Sequence, residues 1–379
     1  MNAAALTEKF DNINLLRAFA ALAVVVYHVI EHGHWTQFPV AGPLVTFRIG
    51  WIGVDLFFAI SGFVIAYSAL LLYRKAPGTF QREYWLRRVS RIVPLYVLTM
   101  AAWIALGSPE FLARSASWWA LQLASHLLFI HNWSAATHGA IDGVNWTLGV
   151  EMQFYLLVAV LIRWIDRAPG WRIWLWCIAI AWAWRAGAVI LHAGEAGPLF
   201  MWTTQLPGAL DEFGAGIFLA KWVLEGRVRI PAPRLSWAIG TAVFGYTAVS
   251  IYWQRADYWI FPAMVVFWRT AFAAFLLCLL GLAISLPQSI AYKWLRPVDH
   301  LGEVSYGIYL WHLFAVQYVI HVAGYRHVES LVGVVALTLL AASLSWRYFE
   351  KPLMRAARAS ERRTSIVLQP ASMEGKWSG

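Results

Sequence analysis

Ten apolar runs divide the 379-residue chain, and most approach the ~20 residues that an α-helix needs to cross a bilayer. Apolar residues make up 60% of the sequence and charged residues 13%, whereas soluble domains average about 45–50% and about 25%. The sequence therefore predicts an all-α polytopic membrane protein with about ten transmembrane helices. The runs cover residues 13–32, 52–73, 92–107, 144–163, 173–192, 205–221, 235–252, 261–284, 302–323 and 329–349.

The basic residues fall mainly on one side of these predicted spans. With the N-terminus in the cytoplasm, 22 of the 30 Lys and Arg residues lie on the inner side, four on the outer side and four within spans. The positive-inside rule produces this bias, so the net charge of +10 needs no nucleic-acid partner. The apolar segment from Trp118 to Trp133 contains Gln122 and His126, and an eleventh span there would weaken the bias. We therefore expect a re-entrant or interfacial helix at this point and both termini in the cytoplasm.

The domain organisation predicted from these runs is simple. A cytoplasmic segment over residues 1–12 precedes one transmembrane domain over 13–355, and a polar, disordered cytoplasmic tail follows over 356–379. Cys177 and Cys278 both lie inside apolar runs, which indicates no disulfide framework.

Arg17 and His28 are polar residues in the first apolar run. At 100° per residue their spacing of eleven places them on one helix face, about 16 Å apart along the axis. Arginine at mid-bilayer costs roughly 2.5–3.5 kcal/mol, so an arginine that persists there is a functional hypothesis. A snorkelling arginine and a hydrogen-bonded structural histidine are the alternative.

Carboxylates in two other spans are expected at the depth of His28. Asp55 and Glu151, the latter with Tyr155 one turn further on, lie in spans that enter from the outer side. A histidine beside a carboxylate in a low-dielectric interior is how a general base is tuned and oriented. For Asp55 alone, a structural ion pair is the favoured alternative. We expect these residues to enclose a central polar cavity, and His312 to line it.

Arg87, Arg88 and Arg91 precede the third span on its inner side. Arg88 and Arg91 are three residues apart and share a helix face, so with Arg17 they predict a cationic mouth that binds phosphate groups. Attraction to lipid headgroups is the alternative explanation.

The spacing of His28 and His32 would also suit a metal ion. Because only Glu31 accompanies this pair and no cysteine or carboxylate array completes a site, no metal is predicted.

Six segments that contain these residues resemble the membrane acyltransferase-3 family in order and approximate spacing. The resemblance covers about residues 12 to 355. The segments are RAFAALAVVVYH, GVDLFFAISGFVI, LRRVSRIVPLY, WTLGVEMQFYLL, SYGIYLWH and YFEKP.

The resemblance implies a ten-span enzyme of the bacterial inner membrane. Such enzymes O-acylate carbohydrates, including lipopolysaccharide O-antigen, exopolysaccharide and peptidoglycan, usually with acetyl-CoA as the donor. Some members carry an additional esterase-like domain after the membrane domain. Since this chain ends without one, a second transfer step is expected to need a partner from polysaccharide biosynthesis. Membrane lipids, acyl-CoA and a glycan or lipid-linked saccharide are the other expected partners.

The family motifs also imply roles for individual residues. The arginine–histidine pair of the family matches Arg17 and His28, its RxxR motif matches Arg88 and Arg91, and its W-x-x-x-x-E motif ends at Glu151. The arginines are expected to bind the CoA phosphates, and His28 to act as general base or as a covalent acyl carrier. We expect Glu151 or Asp55 to fix the tautomer of His28. The candidates for substrate binding are Tyr155, Asn145 and His312.

Two other function classes fit intramembrane charges. A transporter or flippase would use them as an ion path, but the sequence lacks the repeats with broken helices that such folds predict. A catalytically inactive scaffold subunit would have no use for the intact Arg17, His28 and Glu151.

Overall fold

The computed structural model describes residues 10–226, 232–254, 258–286, 296–357 and 359. Within these ranges the chain is helical and contains no β-strand, which confirms the predicted fold class. The α-helices are α1 Asp11–His32, α2 Gly53–Lys75, α3 Phe80–Ala102, α4 Ala116–Leu127, α5 Trp146–Arg167, α6 Gly170–His192, α7 Ala196–Thr203, α8 Leu206–Leu224, α9 Ala232–Gln254, α10 Arg269–Ser285, α11 Arg296–Glu303, α12 Ser305–Val316 and α13 His327–Ser345. The predicted N-terminal segment and C-terminal tail lie almost entirely outside the described residues.

Eight helical segments in the described ranges are long and apolar enough to cross a membrane, against ten predicted. The other two predicted spans fall on helices that carry buried polar side chains. Helix α8 contains Asp211, Glu212 and Lys221, and α12 contains His312, all of them buried. The eight segments are Asn12–His32, Pro43–Lys75, Phe80–Gly107, Trp146–Arg167, Gly170–His192, Arg234–Gln254, Met264–Ser285 and His327–Ala357.

The apolar segment from Trp118 to Trp133 does not form a full span, as predicted. Its helix α4 has 12 residues, a length of about 18 Å, which is too short for the ~30 Å hydrocarbon core. The chain then turns and forms a short 3₁₀ turn, His131–Trp133, before α5 begins.

Helix α8 packs on α2 and α6, and its contact with α2 is unusually close. A Cβ atom added to Gly62 of α2 would lie 2.2 Å from the carbonyl oxygen of Phe213, and one added to Gly216 of α8 would lie 2.3 Å from that of Ala59. Small residues allow helix backbones in a membrane protein to approach in this way. The backbones of α2 and α8 are therefore held close together.

Helix α1 lies between two hydrophobic cores. Its Ile13 and Ala20 belong to the core built around α2, α5 and α8, whereas Ala21, Val24 and Val29 belong to the core built around α12. The same helix contacts α2, α11 and α12. Polar residues on α1 consequently lie at the seam where the two cores meet.

Candidate active site

Three neighbouring cavities contain many of the predicted site residues, and two of them border α1 at this seam. The basic pocket, of about 100 Å³, is lined by Arg87, Arg88 and Arg91. The arginine cavity, of about 80 Å³, is lined by Arg17, Arg91 and Glu151 among others. Arg91 therefore borders both spaces.

The histidine cavity is the third space and measures about 360 Å³. His28, Asp55 and Arg269 contribute its polar surface. Val54 and Tyr309 line this cavity and the arginine cavity, so these two side chains form the wall between them. Arg17 and His28, on one helix, thus face two adjoining spaces.

Glu151 is the hydrogen-bonding centre of the arginine cavity. Its Oε1 accepts hydrogen bonds from Ser61 Oγ at 2.8 Å and from the hydroxyl of Tyr155 at 2.5 Å. Tyr155 is one turn further along α5, where the i,i+4 spacing brings the two side chains together. The Nε of Arg17 is buried without a hydrogen-bond partner in the described part of the chain, so an N–H donor is available in this region.

Arg88 is buried beneath the basic pocket rather than extended into solvent. It donates from Nη2 to Ser68 Oγ at 2.5 Å, and its guanidinium lies 5.6 Å from the ring centre of Tyr84 and 5.8 Å from that of Tyr155. Stacking on aromatic rings and a side-chain hydrogen bond hold the guanidinium in one position. Arg88 and Arg91 share a face of α3, as their spacing predicts.

His28 contacts a backbone carbonyl and a second histidine. Its Nδ1 lies 3.0 Å from the carbonyl oxygen of Val24 and 3.1 Å from Nε2 of His312. Nδ1 of His312 lies 2.5 Å from the carbonyl oxygen of Tyr309. Because a carbonyl can only accept, the network assigns a proton to Nδ1 of both rings. Nε2 of His28 then carries a lone pair, which is the state that a general base requires.

The two carboxylates predicted to orient His28 are engaged elsewhere. Asp55 Oδ1 is 3.1 Å from Nη1 of Arg269, and Glu151 is bound by Ser61 and Tyr155. The expectation that a carboxylate fixes the tautomer of His28 is therefore wrong for this arrangement. His312 and the Val24 carbonyl occupy the positions beside Nδ1.

A family model described as "Acyltransferase domain" matches residues 10–348 of the chain. The chain belongs to the acyltransferase-3 family. The sequence resemblance is thereby confirmed over nearly the whole transmembrane region, and the protein is a multi-pass membrane acyltransferase.

This acyltransferase is similar to three bacterial relatives. It is 26% identical to the protein named as membrane-bound transacylase BcsY of Komagataeibacter xylinus, over 96% of this chain and 88% of BcsY. It is 25% identical to O-acetyltransferase OatA of Staphylococcus aureus, over 90% of this chain and 56% of OatA. It is 24% identical to peptidoglycan O-acetyltransferase OatA of Listeria monocytogenes, over 91% of this chain and 56% of that protein. The chain thus spans little more than half the length of either OatA. No solved structure matches it.

Two predicted substrate-binding residues of this acyltransferase lie behind the cavities. The side chain of Asn145 lines none of the three spaces, and its carbonyl oxygen lies 2.9 Å from Nε2 of His131. His312 is fully buried and supports His28. Tyr155 lines the arginine cavity and not the cavity that contains His28.

Sequence reasoning missed Tyr309 and assigned no partner to Arg269. Tyr309 lies three residues before His312 in a quoted motif, so proximity to a motif histidine was the available signal. Arg269 is far from Asp55 and Glu212 in sequence, and only the fold brings these three charges together. In the described ranges, no group of three or more His, Cys, Asp or Glu side chains is arranged to hold a metal ion.

Proposed function

We propose that the protein transfers an acyl group, acetyl in the simplest case, from cytoplasmic acyl-CoA to a hydroxyl group of a cell-surface glycan or lipid-linked saccharide. The observation that carries this proposal is the order of the three cavities. A basic pocket adjoins an arginine cavity, and that cavity shares Val54 and Tyr309 with the cavity of His28. A donor that is anionic at one end and reactive at the other fits this order.

The donor binds by its phosphates at the basic pocket. Arg88, Arg91 and Arg17 supply guanidinium groups, which recognise phosphate through charge-assisted hydrogen bonds. Eleven residues of α-helix separate Arg17 from His28 by about 16 Å, on the order of the length of a pantetheine arm. The arm passes Val54 and Tyr309, and the thioester reaches His28.

Glu151 has a supporting role in this scheme. It lies in the same cavity as Arg17 and Arg91, and its charge offsets theirs while the cavity holds no donor. Its hydrogen bond from Ser61 also joins α5 to α2, and its hydrogen bond from Tyr155 lies within α5. Asp55 lies on the other side of Val54, where its ion pair holds Arg269 in the wall of the histidine cavity.

His28 performs the chemical step. Its Nε2 removes the proton from the acceptor hydroxyl while the hydroxyl oxygen attacks the thioester carbonyl, a contribution of typically 10²–10⁴-fold. The tetrahedral intermediate collapses, the C–S bond breaks, and Nε2 returns the proton to the departing thiolate. His312 keeps the proton of His28 on Nδ1 throughout. Transient acylation of His28 is the variant of this step, and a single-turnover experiment separates the two.

The proposal requires a defined orientation. Acyl-CoA is made in the cytoplasm, so the basic pocket faces inward and both termini are cytoplasmic in a bacterial inner membrane. The acceptor then approaches from the outer side, and proteins of polysaccharide biosynthesis supply it. The peptidoglycan O-acetyltransferase name of a relative supports a glycan acceptor.

Transfer of labelled acetyl groups in inverted membrane vesicles tests the proposal. Wild type supplied with [acetyl-¹⁴C]-CoA should label a glycan or lipid-linked saccharide fraction, and His28→Ala and Arg17→Ala should lose this labelling. Arg114→Ala and His192→Ala, which lie outside the three cavities, are matched controls and should retain it. Absence of labelling with wild type in membranes from a glycan-producing host would overturn the proposal.

A further inference from the structure

The walls of the histidine cavity have an unusual composition for a space inside a membrane protein. Eight of its fifteen lining residues are Trp, Tyr or Phe, and only three, all valines, are branched aliphatic residues. A long acyl chain or a lipid tail gains most from aliphatic walls, and this cavity has few aliphatic residues. Flat aromatic surfaces suit a ligand that has a flat apolar face and polar edges.

A pyranose ring is such a ligand. Its axial C–H bonds form an apolar face that packs on an aromatic ring, while its hydroxyl groups point outward and need hydrogen-bond partners. The aromatic residues of the cavity offer such partners at their edges as well as rings at their faces.

Three tryptophans of the cavity have indole N–H groups available for a ligand. Trp51, Trp146 and Trp259 donate no hydrogen bond from Nε1 within the described part of the chain. Their indole N–H groups can therefore donate to a bound molecule.

The size of the cavity limits what it can hold. Its volume of about 360 Å³ is at the lower end of the ~300–1,000 Å³ typical of small-molecule sites. This accommodates one sugar ring next to the thioester of the donor, and not an extended run of sugar residues. A longer glycan would therefore insert a single residue.

The charges that line the cavity select against an anionic sugar. Asp55 and Arg269 are the charged residues among its described lining, and they are paired at 3.1 Å. Arg269 also lies 3.6 Å from Glu212, so two carboxylates already surround this cation. Nε of Arg269 has no hydrogen-bond partner in the described part of the chain, but the neighbouring carboxyl groups offset the charge of this guanidinium, so a sugar carboxylate would meet no uncompensated cation in the cavity.

We infer that the histidine cavity binds one neutral pyranose residue of the acceptor, stacked on its tryptophans, and excludes uronic acids through the paired state of Arg269. This inference rests on the proposed function, since it specifies the acceptor of the same reaction. Trp259 and Trp51 stack on the sugar ring, and the cluster of Asp55, Arg269 and Glu212 disfavours sugars that carry a negative charge.

Equilibrium dialysis on the purified full-length protein tests the inference without any acyl donor. The radiolabelled probes are methyl β-D-glucopyranoside and methyl β-D-glucuronide, and cyclohexylmethanol is the unlabelled competitor that has a ring but lacks the sugar hydroxyls. Wild type should bind the glucoside at least about tenfold more tightly than the glucuronide, and cyclohexylmethanol should not displace it at equal concentration.

Variants connect this binding to the cavity. Trp259→Ala should weaken glucoside binding roughly fivefold, whereas Trp259→Phe, which retains a ring, should keep most of it. Trp176→Ala, which removes an exposed tryptophan outside the cavity, is the control and should bind as wild type does. Glu212→Gln removes one carboxylate from Arg269 at constant shape and should strengthen glucuronide binding about fivefold.

The outcomes separate this inference from the proposed function. Equal binding of glucoside and glucuronide, displacement by cyclohexylmethanol, or unchanged binding in Trp259→Ala would overturn the inference. Because the assay contains no acyl-CoA, these results do not depend on whether acyl transfer occurs. Glucoside binding combined with no acetyl transfer to any acceptor would overturn the proposed function and leave the sugar site intact.

Discussion

His312 Nε2 lies 3.1 Å from Nδ1 of His28, and His312 is itself anchored by the carbonyl of Tyr309. A base in a hydrolase triad is oriented by a carboxylate that accepts its Nδ1 proton. Here a neutral imidazole and the Val24 carbonyl occupy that position. His312 and the Val24 carbonyl therefore orient His28 without placing a charged carboxylate beside its ring.

Replacing His312 tests its role as a positioning residue. We expect His312→Ala to lower kcat for acetyl transfer by about a hundredfold, because His28 loses the acceptor that fixes its ring. KM for acetyl-CoA should change little, since the donor contacts lie in other cavities. His312→Gln retains a hydrogen-bond acceptor and should recover part of kcat. If both variants lost kcat to the same extent, and both were less thermally stable than wild type, His312 would instead be a purely structural residue.

Replacing Arg91 tests recognition of the donor phosphates. Arg91→Ala should raise KM for acetyl-CoA about tenfold, because one charge-assisted contact to phosphate is lost. With S-acetylpantetheine, which lacks the nucleotide and its phosphates, wild type and variant should have similar KM values. A difference that persists with S-acetylpantetheine would contradict phosphate binding by Arg91. Arg114→Ala is the charge-matched control and should behave as wild type with both donors.

Val54 forms part of the wall between the arginine and histidine cavities. Val54→Phe narrows the route proposed for the donor arm and should reduce acetyl transfer by more than about tenfold while acetyl-CoA still binds. Val54→Ala widens it and should raise the relative rate with butyryl-CoA. Competition between labelled acetyl-CoA and CoA measures donor binding in both variants. Full transfer activity in Val54→Phe would show that the donor arm does not pass this residue.

Asp142 lies in the loop before α5, outside the membrane-spanning segments, and its burial predicts a dependence of stability on pH. Burial raises its pKa from 3.8 to about 7, and its Oδ1 has no hydrogen-bond partner among the described residues. Between about pH 4 and about pH 7 the folded protein binds more protons at this group than the unfolded chain, so its contribution to stability falls as pH rises. Asp142→Asn removes this cost.

Thermal unfolding in detergent measures the effect. The Tm of Asp142→Asn should exceed that of wild type at pH 8, and the difference should shrink towards pH 4.5. Glu110→Gln, at an exposed position, should show no such dependence. A difference in Tm that is independent of pH would mean that ionisation of Asp142 is not its origin.

The sequence predicts the spans well because each span must meet the same requirement on its own: enough consecutive apolar residues to cross the bilayer. A run such as residues 173–192 must be apolar and long enough to cross the bilayer, and the structure has the corresponding helix Gly170–His192. The shared orientation of Arg17 and His28 follows in the same way from helix geometry alone. Helix α8 was also predicted, although its three charged residues exclude it from the segments that are apolar enough to cross unaided.

The partners of the site residues could not be predicted in this way. The sequence predicts that Asp55 and Glu151 lie at the same depth in the membrane as His28. Depth does not specify the direction in which a side chain points around its helix axis. The fold turns Asp55 towards Arg269 and Glu151 towards Ser61. His312 reaches His28 because α12 packs on α1, a contact between segments 284 residues apart. Pairing at such separation depends on how the helices assemble.

Because α1 carries both Arg17 and His28, the proposed anchor point of the donor and the proposed base belong to one rigid helix. Their separation cannot adjust to the substrate as it could between two mobile helices. In the proposed reaction, α1 therefore sets the length of arm between phosphate and thioester that a donor must have. A carrier with a shorter arm could be held by its phosphates or reacted at His28, but not both at once.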